Sequence, residues 1–173
     1  MLEVRLYGDP VLRKVAEPVK KFDAALEKLI EEMVVTLKAE DGAGLAAPQV
    51  GESVQLVMID VTGGEEAPIV LINPVLFNHS EEKECADEGC LSIPGITLSV
   101  NRSLRVSVRA LNEKGEEFVI ENAEGLLARA LQHETDHLNG LMIVDHVSAL
   151  QKTMISNKLK KLKNSSRDKS QTA

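Results

Sequence analysis

Strand-forming patterns are confined to the middle of this chain, and that placement limits the folds open to it. "SVQLVMIDV" at 53–61 and "APIVLINPVL" at 67–76 read as two strands joined by a turn at Gly63 and Gly64. "SLRVSVRAL" at 103–111 and "EEFVIEN" at 116–122 alternate, are rich in β-branched residues and have Gly115 between them, the pattern of a hairpin. Helical periods lie to either side. Phe22, Leu26, Leu29, Ile30, Met33 and Leu37 recur at three and four, with Asp23 available as N-cap. After "NAEG" the period returns to that of a helix through Leu127, Ala130, Leu131 and Leu138, ending at "NG", where Gly140 can adopt the left-handed cap. A last helix starts near Ser148 with Leu150, Met154, Ile155, Leu159 and Leu162 as its stripe, and "NSSRDKSQTA" follows as a polar tail. Without regular strand–helix alternation, the expectation is α+β with antiparallel sheet, and a doubly wound nucleotide-binding fold fits poorly.

With 173 residues, 43% of them hydrophobic, the chain suits one sizeable core. No run approaches the roughly 18 apolar residues of a membrane span, and "MLEVRLYGDP" lacks the basic and apolar regions of a secretory signal. A soluble, cytoplasmic protein is expected. Its aromatic content of 2% is too low for a stacking surface on single-stranded nucleic acid, and neither membrane nor DNA is an expected partner. The net charge of −7 divides unevenly: residues 150–173 carry +6 and the rest −13. That asymmetry suits either a solubilising terminus or a tail that touches an anionic partner such as RNA.

"QHETDH" at 132–137 falls on the penultimate helix. Residues four apart differ by about 40° around the axis and about 6 Å along it, so His133 and His137 can share one ion. Glu134 lies roughly 100° round, poorly placed as a ligand but within reach of a water beside that ion. The other two histidines, His79 and His146, have no partner at ligand spacing and read as ordinary surface residues.

Two histidines leave a tetrahedral ion one protein ligand short if a fourth position is to stay open. Cys85, Cys90 and several carboxylates are candidates. The cysteines are five apart, so along a straight strand they face opposite sides, and spacing does not choose between them. A disulfide is disfavoured in a reducing compartment.

"GAGLAAPQVG" at 42–51, "EGCLSIPG" at 88–95 and "QHETDHLNG" at 132–140 together resemble the three motifs of the bacterial-type peptide deformylases, in the family's order and spacing. The resemblance implies antiparallel β-sheets packed around a central helix carrying the HExxH motif, with an N-terminal and a C-terminal helix. It implies Cys90, His133 and His137 as metal ligands, Glu134 as general acid and base, and Gln49 with the Leu91 N–H as oxyanion donors. Ala43, Gly44, Gly89 and Arg102 would lie along an extended peptide, and Cys85 would be a packed thiol with no role assigned. The reaction implied is removal of the formyl group from the formyl-methionine of nascent polypeptides, with release of formate. The ion would be Fe(II), with Zn(II), Ni(II) or Co(II) as substitutes.

A division follows into a catalytic domain, 1–147, and a basic helix with its polar tail, 148–173, a segment resembling that by which some deformylases dock on ribosomes. Ala43 stands where most members have a β-branched residue, and Arg129 where members carry an aliphatic residue or an arginine. Three alternatives are weaker. A phosphate-cradling loop at "GAGLAAPQ" lacks the G-K-[ST] ending. A zinc endopeptidase leaves the first two motifs unexplained. A catalytically silent relative that docks on ribosomes gives Glu134 no reason to be present.

Overall fold

The computed structural model describes residues 1–171. Helix α1 (Ala24–Ala39) leads into the short strand β1 (Gly44–Ala46) and a 3-10 turn (Ala47–Val50). Strands β2 (Leu56–Ile59), β3 (Ile69–Phe77), β4 (Lys83–Glu88), β5 (Leu98–Ser103), β6 (Val106–Leu111) and β7 (Glu117–Ala123) follow. Helix α2 (Gly125–Leu138), a 3-10 turn (Ile143–Asp145) and helix α3 (Ala149–Gln171) complete the order. The strands pair antiparallel in a five-stranded sheet, β1-β2-β3-β6-β7, and a separate two-stranded sheet, β4-β5. This is the expected α+β arrangement, with α2 in contact with strands of both sheets.

Strand period explains the layering. On β2, Val57 and Ile59 pack toward α2 with Leu71, Val108, Ala128 and Leu131. Their neighbours Leu56 and Met58 pack on the opposite face against Leu26, Met33 and Leu37 of α1. Helix α1 begins where Asp23 accepts the Leu26 N–H at 3.1 Å. Strand β3 breaks register between Ile72 and Val75, where Asn73 has φ 51° and Pro74 offers no N–H. Asn73 exchanges two side-chain hydrogen bonds with the backbone of Val19, which holds the irregularity in place.

Helix α2 ends as expected. Gly140 has φ 71°, and an added Cβ there would lie 2.7 Å from the Arg13 carbonyl oxygen, so conformation and space both call for glycine. Helix α3 closes a third apolar cluster through Ile155, Leu159 and Leu162, beside Leu12, Met142, Ile143 and Val144. Its packing face is narrower than the sequence stripe: Leu150 and Met154, one position round the helix, are exposed. The helix continues to Gln171, past the last apolar position at Leu162. Thr172 and Ala173 of the expected tail lie outside the described residues, as do the side chains of Arg167 and Lys169.

Candidate metal centre

Helix α2 supplies His133, Glu134 and His137 from a turn that is enclosed rather than solvated: His137 is 1% and Glu134 4% exposed. Cys90 arrives from the turn just after β4, where its carbonyl accepts the Ile93 N–H at 2.9 Å and the Ser92 carbonyl accepts the Tyr7 N–H at 2.8 Å. Cys90 Sγ lies 3.4 Å from His137 Nε2, and the two Nε2 atoms face each other at 3.3 Å. All three donor atoms fall within 4.8 Å of one another.

These residues fit a metal ion on geometry and chemistry alike. Ligand bonds of about 2.0–2.1 Å to nitrogen and 2.3 Å to sulfur around a tetrahedral ion imply donor–donor edges of roughly 3.3–3.6 Å, and the two measured edges agree. Glu88 fixes the tautomer of His133. Its Oε2 lies 2.9 Å from His133 Nδ1, and an ionised carboxylate only accepts, so the hydrogen sits on Nδ1 and leaves the Nε2 lone pair for an ion. The set has three protein donors among the described residues, which is the composition of an open site, not a closed structural one.

The carboxylate hub behind His133 was not singled out from sequence. Glu88 Oε1 accepts from Arg102 Nε at 2.6 Å and from Arg129 Nη1 at 2.8 Å, and Oε2 accepts from Arg102 Nη2 at 2.9 Å besides His133. Burial alone would push the Glu88 carboxyl up, but the hydrogen bonds from His133 and Arg102 outweigh it and hold it at about 2. Arg102 also reaches Asp136 at 2.8 Å. Arg102 is only 5% exposed and is spent on these two carboxylates, so it braces the centre from behind instead of lining the cleft wall.

Burial raises Glu134 to about 7, opposed by the charges of His133 and Arg102. Its Oε2 is buried without a protein partner, and its other side lies against Gly44, where an added Cβ would come within 2.8 Å of the carboxyl carbon. Gln49, 1% exposed on the 3-10 turn after β1, accepts the Ala46 N–H on Oε1 at 2.8 Å. That bond turns the amide nitrogen toward Cys90 Sγ at 3.6 Å and Ser92 Oγ at 3.3 Å.

A cleft of about 440 Å³ gathers these groups. Gly42, Ala43 and Gly44 form one lip, Gly89 and Leu91 the other, and Arg129, His133 and Glu134 the helix side. Of the expected site residues, only Arg102 and His137 do not line it, His137 closing the ligand set from beneath. Arg129 does line the cleft, pinned to Glu88, to the Val100 carbonyl at 3.0 Å and to the Glu84 carbonyl at 3.0 Å.

Besides the place of Arg102 along the peptide, one expectation is corrected. Cys85 is an exposed thiol, because on β4 it falls on the face opposite Ala86 and Glu88 and pairs with Asn101 at the surface. His146 is exposed, as expected, and its Nε2 lies 2.7 Å from Asp136 Oδ2. His79 is exposed, as expected.

Residues 1–153 match the family model described as polypeptide deformylase. A peptide deformylase of Thermotoga neapolitana is 48% identical over 167 residues, covering 96% of this chain and 99% of its own length. The relative from Thermodesulfovibrio yellowstonii, also a peptide deformylase, is 44% identical over 162 residues, 92% of this chain and 97% of its own. Among solved structures, the peptide deformylase of Thermotoga maritima superposes with TM-score 0.81 at 49% identity, over 86% of this chain and 98% of that one. The enzyme from Legionella pneumophila gives TM-score 0.89 at 42% identity, over 95% and 96%. A Cys-His-His donor set at the floor of a cleft, on a fold shared at this identity along nearly the whole length, places the chain in the polypeptide deformylase family.

Proposed function

We propose that this chain, a metal-dependent hydrolase of that family, removes the formyl group from the formyl-methionine of nascent polypeptides through a division of labour among its own side chains. Cys90, His133 and His137 would hold a divalent ion, which when bound would supply Lewis acidity toward water and the formyl carbonyl. Glu134, the general acid and base, takes the proton of the attacking water and returns it to the departing amine; a carboxyl held near neutrality by burial is suited to both directions. Gln49 and the Leu91 N–H donate to the developing oxyanion, and the bond from Ala46 N–H keeps the Gln49 amide aimed without reorganisation. Ala43, Gly44 and Gly89 leave room for an extended peptide backbone between the lips of the cleft. Arg102 acts through Glu88 on His133.

The observation that carries this reading is the convergence of three donor atoms within 4.8 Å at a cleft floor, with Glu134 buried beside them. The ion we propose is Fe(II). Zn(II), Ni(II) and Co(II) compete with Fe(II) for such a set on the usual affinity order, so metal content and activity belong in one measurement. The test is formate release from formyl-Met-Ala-Ser by anaerobically prepared Fe(II) protein, beside Glu134→Ala of matched metal content. Rapid turnover lost in the variant supports the assignment; equal rates would refute it.

Residues 1–147 form the catalytic unit and 148–173 its basic extension. Exposed Lys152, Lys158, Lys160, Lys161 and Lys163 on α3 favour docking on the phosphates of ribosomal RNA. Because Ile155, Leu159 and Leu162 fill the core, charge reversal tests this more cleanly than truncation. Lys158→Glu with Lys161→Glu is expected to abolish co-sedimentation with ribosomes at low salt; retained binding would remove the ribosome from the proposal. This work on nascent chains assigns the protein to the cytoplasm, and no helix among the described residues is long and apolar enough to cross a membrane.

A further inference from the structure

His146 follows the 3-10 turn Ile143–Asp145 and precedes α3. Its N–H bonds the Ile143 carbonyl at 3.1 Å, and Met142, Ile143 and Val144 sit in the apolar cluster that seats Leu159 of α3. The base of the C-terminal helix and this imidazole are therefore held by one piece of core.

From the ring, an unbroken series of hydrogen bonds leads inward. His146 Nε2 donates to Asp136 Oδ2 at 2.7 Å, since a carboxylate can only accept. The same oxygen accepts Arg102 Nη1 at 2.8 Å. Arg102 grips Glu88 through Nε at 2.6 Å and Nη2 at 2.9 Å, and Glu88 Oε2 accepts the Nδ1–H of His133 at 2.9 Å. Side-chain exposure falls along the way, from 30% at His146 and 20% at Asp136 to 4% and 5% at Arg102 and Glu88. Each link strengthens as water is excluded, and neighbouring links polarise one another. The members come from four places, namely β4, β5, α2 and the turn before α3, so no single element fixes their geometry.

We propose that His146 is a positioning residue for the metal centre. By holding Asp136 it fixes Arg102 and, through Glu88, the ring of His133, so that the foot of the C-terminal helix and the ligand set share one network. The proposal rests on the metal-centre reading above.

The test uses the full-length chain, titrated with Co(II) against a chelating competitor and followed by the visible bands and the thiolate-to-metal absorption. Removing a partner that contacts a ligand directly costs about 10–100-fold in affinity, and His146 acts at further remove, so His146→Ala is expected to weaken Co(II) binding by roughly 3- to 10-fold. It is also expected to shift the visible bands and to lower kcat of the Co(II) enzyme with KM little changed. His146→Gln, which can still donate to Asp136, is expected to restore most of the loss. In an Asp136→Ala background, which leaves no acceptor for either neighbour, His146→Ala should have no further effect, because the relay is already cut. Melting temperatures for each variant separate a general loss of stability, which would leave the Co(II) bands in place. Wild-type affinity and spectrum in His146→Ala, or additive losses in the double variant, overturn the relay. Failure of both wild type and Cys90→Ser to bind Co(II) would instead overturn the metal-centre reading itself.

Discussion

The carboxylate of Glu88 accepts the Nδ1–H of His133 at 2.9 Å while its other oxygen takes Arg102 at 2.6 Å and Arg129 at 2.8 Å. One buried side chain thereby orients a metal ligand and neutralises a buried guanidinium. Glu88→Ala removes both services. It is expected to destabilise the protein by about 3–5 kcal/mol, because Arg102 is left as an uncompensated buried charge, and to weaken metal affinity by about 10–100-fold. Urea unfolding and competitive metal titration check the two effects separately.

The same carboxyl sets a pH dependence. Its folded pKa of about 2 lies below the ordinary 4.5, so its contribution to stability is fully present above about pH 5 and is lost as pH falls toward 2. The contribution is roughly 3 kcal/mol at neutral pH. Asp136, also depressed because bonds from His146 and Arg102 outweigh its burial, loses stability in the same direction. Unfolding free energies at pH 7, 5 and 3 are expected to fall most steeply in the last interval, and Glu88→Gln should flatten that slope.

Gly44 carries a steric prediction. An added Cβ would press into the Glu134 carboxyl group, whereas at Gly89 it would meet nothing within 4 Å. Gly44→Ala should displace the base and lower kcat by about 10²-fold, the scale on which a misplaced catalytic group is felt. Gly89→Ala should leave the melting temperature unchanged, which a thermal scan beside the kinetics would show.

Gln49→Ala is expected to reduce kcat by about 10²–10³ with a smaller change in KM, as for loss of one oxyanion donor. It should also cost about 1–3 kcal/mol of stability, because the buried Ala46 N–H loses its acceptor. Steady-state kinetics together with denaturation distinguish the two losses.

The cysteines separate cleanly. Cys85→Ser should leave formate release and metal content unchanged, since the thiol is on the exposed face of β4. Cys90→Ser should abolish tight metal binding, which elemental analysis of the purified variant would reveal.

Much of this was legible in the residues. The period of three and four placed α1 and α2, and Asp23 and Gly140 act as the caps their chemistry suggests. Strand patterns placed β2, β3, β6 and β7 but left β1, β4 and β5 unread, and β5 carried an unused clue: Leu98, Val100 and Arg102 share one parity, all buried, and a buried arginine demands carboxylate partners. Which carboxylates answered it depended on packing between separate elements, so Glu88 and Asp136 stayed silent although both lie inside motifs already quoted. Cysteine parity showed that only one thiol could face α2, without saying which. The exposure of Leu150 and Met154 was equally hidden, since a stripe of apolar residues does not reveal how much of it a neighbouring surface will cover.

The ligands also impose an order of events. Cys90 and His137 stand 47 residues apart, on a turn after β4 and on α2, with the whole β5–β7 stretch between them. Closing a loop of that length costs only about 1 kcal/mol more than closing the short loop of a zinc finger, at roughly 0.6 kcal/mol per doubling, so it is the placement of the donors on separate elements that keeps the set apart in the unfolded chain. The donor set becomes complete only when the small sheet has docked on the helix. A metal can therefore meet all three donors only in a chain that has already folded around its own apolar clusters, so competition among metals for the complete set falls after folding.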